Sequence, residues 1–156
     1  MMRQVKDFNV HPYPFLIIVS LFFLWGVFTC MNTLIIPHLE QLFIGKEDIS
    51  FNFRNVFFGA YFIIAIPAVM LLNNNGYKTS IIIGLLIVSL GAFLFVFAAE
   101  YISYPLFITG VFFLAAGITV LQVAANTYIV LMGDERFAAS RLSLAQAINS
   151  LGYVSV

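Results

Sequence analysis

Residues 114–128, LAAGITVLQVAANTY, are apolar enough to lie in a bilayer yet carry three uncharged hydrogen-bonding side chains, Thr119, Gln122 and Asn126. Spacings of three and then four put those side chains on one face of an α-helix, and Ala115 extends the same stripe by a turn. In hydrocarbon a carboxamide with no partner costs several kcal/mol, so Gln122 and Asn126 must face other helices or a water-filled cavity. The stripe therefore predicts a bundle of helices around it. Its purpose stays open between two readings: glue between helices, or the wall of a hydrophilic path.

The rest of the chain supplies the bundle. Of its 156 residues, 62% are hydrophobic, 17% aromatic and only 9% charged, too little polar surface to cover a soluble globule. The reading is an all-α membrane protein, with the lipid bilayer as its first partner. A formal net charge of +0 gives no reason to expect nucleic acid. The single cysteine, Cys30, lies in an apolar run and reads as a small buried hydrophobe.

Residues 1–14, MMRQVKDFNVHPYP, read as a short aqueous tail whose Pro-Tyr-Pro leads into a helix, and 15–156 as a transmembrane helical bundle. His11 has no second ligand nearby, and no metal or cofactor is expected. A first span over 15–36 carries Trp25, Thr29, Asn32 and Thr33 on one stripe, with the indole near mid-span, where it suits a cavity. A second span covers 55–72, where Gly59, Ala60, Ala65 and Ala68 offer a small-residue side and Pro67 predicts a kink. It is expected to stop in a tight turn at Asn73–Gly76. A third span over 79–99 is assigned to packing and lipid contact, and the fourth covers 106–132. Residues 137–156 start like a fifth span and stop short of the roughly 20 residues a crossing needs. Gln146 and Asn149, three apart, share a face of it.

Lys and Arg set the orientation. With the amino terminus in the cytoplasm the inner segments hold Arg3, Lys6, Lys78, Arg136 and Arg141, and the outer ones Lys46 and Arg54, which favours that arrangement across a cell (inner) membrane.

No catalytic constellation is present: no His-Glu-x-x-His, no paired metal-spacing cysteines, no Gly-x-Ser-x-Gly and no phosphate-binding glycine loop, so an enzyme is not expected. The four complete spans also hold no Asp, Glu, Lys or Arg away from their ends. Asn, Gln and Thr instead offer donors and acceptors to hydroxyl groups, and an indole can cover an apolar sugar face. Carboxamide stripes on three helices point to a small-molecule sugar moving along a path lined by them.

Five stretches, in order, resemble the amino-terminal half of the fucose permease and glucose/galactose transporter family of the major facilitator superfamily. They are LFFLWGVFTCMN at 21–32 with Ile36, Pro37 and His38; FGAYF at 58–62; Pro67 and Ala68 before Gly76, Tyr77 and Lys78; LQVAAN at 121–126; and RLSLAQAINSLG at 141–152. The resemblance implies a twelve-helix transporter working by alternating access, of whose first six-helix half this chain holds four complete spans and the start of a fifth. It also implies Asn32, Gln122, Asn126, Gln146 and Asn149 as cavity-lining groups, beside Trp25 from the polarity reading.

The departures are specific. Thr33 stands where the family usually has an aspartate tied to cation or proton coupling. Gln122 matches the hexose-type members and not the glutamate of the fucose permeases. Thr127 replaces a proline, and Asn73–Asn75 replace the usual basic loop. Together with the early end, these predict a truncated or split chain that does not transport alone, with a separate polypeptide supplying the missing helices. The alternative is a small membrane interaction protein whose polar stripes pair with partner helices.

Overall fold

The computed structural model describes residues 12–42, 49–132 and 135–155, with side chains at 15–31, 33–34, 51–132 and 135–155. Expectations for the tail at 1–11 with His11, for 43–48, for Gly133 and Asp134, and for the Asn32 side chain fall outside the described residues. Every described element is helical: α1 (Pro12–Leu42), α2 (Ile49–Glu100), α3 (Tyr104–Leu131), a short 3-10 turn (Glu135–Phe137) and α4 (Ala138–Val154). The all-α expectation holds. Helix α1 opens with two prolines in its first turn, where a missing N–H leaves no hydrogen bond unmade.

Helix α2 is long enough for two crossings and makes them by folding back on itself. Gly76, with φ 77° and ψ 173°, is its one non-helical residue. That region of backbone space is essentially open to glycine alone. Phe53 and Ala98, from the far ends of the two arms, share one buried cluster with Phe107 and Val111 of α3. An unbroken helix would hold positions 53 and 98 roughly 70 Å apart at 1.5 Å per residue, so the arms 49–75 and 77–100 lie antiparallel. The expected Asn-Gly turn is thus a single residue: Asn73, Asn74 and Asn75 stay helical, and Pro67 keeps helical dihedrals. The Ser80 hydroxyl, fully buried, donates to the Gly76 carbonyl at 2.9 Å.

The second arm turns into α3 through Tyr101–Ser103, where the Ser103 N–H donates to the Ala98 carbonyl at 3.1 Å and Ile102 takes a φ of 46°. Arm 77–100 and α3 then meet along glycines seven residues apart on each side. Gly91 faces Gly110 and Leu114, and Gly84 faces Gly117 and Leu121. A Cβ on Gly91 would lie 2.6 Å from the Leu114 nitrogen, and one on Gly117 2.6 Å from the Val88 nitrogen, so these backbones touch. The seam is what the packing role of the third span consists of. Gly59 takes no part in such contact: a Cβ there would meet nothing within 4 Å, whereas Ala60 and Ala68 are buried. Position 59 is about 100° around the helix from position 60, which turns it off the packed face.

Two compact units emerge, one drawn from Met1–Leu34 and Ala125–Val156, the other from Ile35–Ala124. In the first, α1 and α4 cross at a pair of glycines. A Cβ on Gly26 would run into the Asn149 carbonyl, and one on Gly152 into the Phe23 carbonyl. Cys30 is buried with its thiol free. In the second, residues 114–120 are buried without interruption, while α2 turns Phe62, Ile66, Leu86 and Val96 outward. Phe62 is 85% exposed, a side chain suited to lipid and not to water. α4 runs for 17 residues.

Candidate functional site

The predicted amides divide by what they touch. In the unit Ile35–Ala124, Gln122 of α3 is half-buried, and its Nε2 donates to the Tyr61 Oη at 3.4 Å. The Tyr61 ring is itself placed by Phe57, one turn earlier, with centroids 5.1 Å apart and planes tilted by 42°. Thr119, one turn before Gln122, is buried, and its hydroxyl donates to the Ala115 carbonyl at 2.8 Å. It therefore spends its hydrogen bond inside its own helix, and the stripe of 114–128 offers two amides rather than three polar groups.

In the unit drawn from Met1–Leu34 and Ala125–Val156, Asn126 is half-buried and Gln146 exposed, and the Gln146 Nε2 donates to the Asn126 Oδ1 at 3.5 Å. Asn149 behaves differently: its Nδ2 donates to the Phe22 carbonyl of α1 at 3.0 Å. The contact is possible because Gly26, one turn on from Phe22, has no side chain to hold α4 away. Trp25 is half-buried, its ring 5.6 Å from that of Phe22. Thr29 and Thr33 bond back along α1, to the Trp25 carbonyl at 2.9 Å and the Thr29 carbonyl at 3.1 Å, and Thr33 is exposed. Asn32 falls in α1 between them; its side chain is outside the described residues.

Two residues matter more here than their sequence context suggested. Tyr61, read only as part of FGAYF, is the hydroxyl partner of Gln122. Arg141, read as an orientation charge, donates from Nε to the Ile129 carbonyl and from an Nη to the Val130 carbonyl, both at 3.2 Å. Those carbonyls belong to the last turn of α3, where no intrahelical donor remains and a cation is favoured. The guanidinium thus ties the start of α4 to the end of α3.

Chemically, the described spans offer amide donors and acceptors with partial exposure and no ionised group at their centres. The contacts of Gln122 and of the Asn126–Gln146 pair, 3.4 and 3.5 Å, are at the long limit of a hydrogen bond. Tight, buried contacts fix Thr119, and a backbone carbonyl holds Asn149.

No family model matches the chain. Curated relatives do. A glucose/galactose transporter of Brucella abortus is 48% identical over 132 residues, covering 85% of this chain and 32% of the relative. An L-fucose-proton symporter of Escherichia coli is 41% identical over 141 residues, covering 90% and 32%. The chain spans about a third of the length of these curated relatives. Among solved structures, a crystal structure of the Escherichia coli fucose:proton symporter matches with a TM-score of 0.80 and 38% identity, over 96% of this chain and 35% of that one.

Proposed function

We propose, for a chain that belongs to the fucose permease and glucose/galactose transporter family of the major facilitator superfamily and corresponds to its amino-terminal part, that its uncharged amides line the path of a neutral hexose across the membrane. Trp25, Asn32, Gln122, Asn126, Gln146 and Asn149 are the lining groups of this reading. The observation that carries it is the state of the α3 amides: Gln122 and Asn126 keep partial exposure and hydrogen bonds at the long limit, although burying them against close partners would be the cheaper arrangement for groups with no role beyond packing.

The substrate is of the glucose or galactose type. Gln122 is a neutral donor and acceptor, and the Brucella relative named for those sugars is more similar than the fucose symporter. Thr33 carries no titratable proton and bonds to its own helix, so position 33 does not couple sugar movement to protons. The tail 1–14 lies in the cytoplasm and the bundle 15–156 in the inner membrane. The helices beyond this stretch, on the same or a separate polypeptide, supply the other wall, and these 156 residues do not transport alone.

The test is uptake in cells lacking hexose transport that co-express this chain with the remaining two thirds of the Brucella relative. Saturable uptake of glucose or galactose is expected, lost with Gln122→Leu and Asn126→Leu together. Full uptake by that double variant would overturn the reading, and saturable uptake by the 156 residues alone would overturn its last clause.

A second reading has its own observation. Asn149 on the Phe22 carbonyl is an amide acting as a helix fastener, the behaviour of a small membrane protein whose stripes bind partner helices. A stable heteromeric complex recovered from membranes, with no sugar uptake under co-expression, would favour it.

A further inference from the structure

We infer that an outward row on arm 77–100, ending at Tyr101, is a depth anchor: it binds phospholipid where acyl chains meet headgroups and holds the turn 101–103 at that level. The inference needs only a bilayer around the chain, not a sugar within it. Leu86, Leu90, Phe93, Phe97 and Tyr101 follow at spacings of four, three, four and four, which keeps them within about 80° of the helix circumference. Phe97 is half-buried and the other four are exposed. Gly84 and Gly91 lie on another side of the same arm, so the row is not turned toward α3.

The chemistry of the row changes along it. Two leucines come first, then two phenylalanines, and its one hydroxyl stands at the end. The rings form a ladder: Phe93 meets Phe97 edge-on with centroids 4.8 Å apart, and Phe97 lies parallel to Tyr101 at 6.5 Å. Tyr101 is still on the helical path, its N–H donating to the Phe97 carbonyl at 3.0 Å. Residues 79–99 carry no charge and Glu100 does, so water begins beside Tyr101. A ring with a polar tip at the last apolar level, following purely apolar rings, matches the passage from acyl chain to headgroup.

Ile102 carries the apolar surface past the helix end. It is 64% exposed and takes a φ of 46°, a backbone region that a β-branched residue rarely occupies. In water that exposure would add to the backbone cost, whereas at the membrane boundary burial in lipid offsets it. A partner helix fits the row less well than lipid does. Close helix contact on this arm runs through Gly84 and Gly91, and the row holds nothing smaller than leucine. Ile82, exposed one turn before Leu86, continues the same surface, so the anchor is the end of a lipid face running along most of the arm.

Two measurements test this. Trp25 is the only tryptophan, so Trp25→Phe gives a dark background for Phe93→Trp, Phe95→Trp or Tyr101→Trp, each reconstituted singly in phosphatidylcholine vesicles with nitroxide-labelled lipids. Tyr101→Trp should be quenched best by labels at the headgroup and acyl position 5, and Phe93→Trp by a label at position 12. Eight residues on a helix tilted by about 20° predict a depth difference of roughly 11 Å. Phe95→Trp, on the side packed against Phe107, should be quenched more weakly than either. Ile102→Asn suits a positive φ but lacks the apolar side chain, and should shift quenching of Tyr101→Trp toward the headgroup label.

In the second measurement, p-benzoylphenylalanine replaces Phe93 or Tyr101 in cell membranes, with and without the co-expressed remaining two thirds of the Brucella relative. Irradiation should yield phospholipid adducts in both cases. This arm needs no tryptophan and so does not depend on those variants folding. Equal depths for the two reporters, quenching no stronger than that of Phe95→Trp, or adducts to protein in place of phospholipid would overturn the inference.

Discussion

The seam between arm 77–100 and α3 and the crossing of α1 with α4 both bring backbones into contact through glycine, yet they are locked differently. The seam repeats its contact seven residues on, Gly91 with Gly110 and Gly84 with Gly117. The crossing concentrates its contact on Gly26 and Gly152, and adds one amide, Asn149, on a backbone carbonyl. A bilayer offers no hydrophobic gain for joining two apolar helices, so close approach and dispersion must hold the seam. Where the contact is too short for that, a polar bond is recruited. An amide in a span thus serves as a fastener at the crossing, where Asn149 donates to a backbone carbonyl.

The largest expected effect is Gly26→Ala, which drives a methyl into the Asn149 carbonyl at the short crossing; a loss of about 3 kcal/mol in unfolding by SDS titration would set the crossing apart as brittle. Gly117→Ala meets the Val88 nitrogen and should cost about 2 kcal/mol by the same assay, less because the second heptad of the seam remains. If Gly117→Ala proved the costlier of the two, the contrast between spread and concentrated contact would be wrong. Gly76→Ala should cost about 1 to 2 kcal/mol through backbone strain alone, visible as a lower midpoint with both packed interfaces unchanged. Asn149→Ala should cost about 1 kcal/mol, measuring the fastener directly, and a silent substitution would reassign the crossing to packing. Smallest, and of opposite sign, is Gly59→Ala: nothing lies within 4 Å, and a gain of at most about 1 kcal/mol from helix propensity is expected.

The sequence made the helical crossings readable because their signal is long and uniform: apolar runs of span length separated by Asn73–Lys78, by 100–105 and by the charged 133–136. It also made the amides of α3 readable, since Gln122 and Asn126 are costly in hydrocarbon wherever they point. What it hid was partnership. A hydroxyl that bonds its own helix, as in Thr119, and an amide that donates to a backbone carbonyl, as in Asn149, look identical in one dimension to groups that do neither. Tyr61 was hidden for the opposite reason, being an aromatic among aromatics. The seam did leave a trace, the seven-residue spacing of Gly84 and Gly91 matched by Gly110 and Gly117, which only becomes legible when two helices are compared with each other. Gly59, by contrast, was a small residue in a plausible place that faces open space.

The one-residue reversal at Gly76 has a consequence for how the molecule assembles. With no slack between the arms, contacts beside Gly76 join residues only a few positions apart, while the pairing of Phe53 with Ala98 must wait for nearly the whole second arm. Local pairs form fastest, so the hairpin closes like a zipper from its bend toward its open mouth, and the aromatic cluster there is the last tooth to engage.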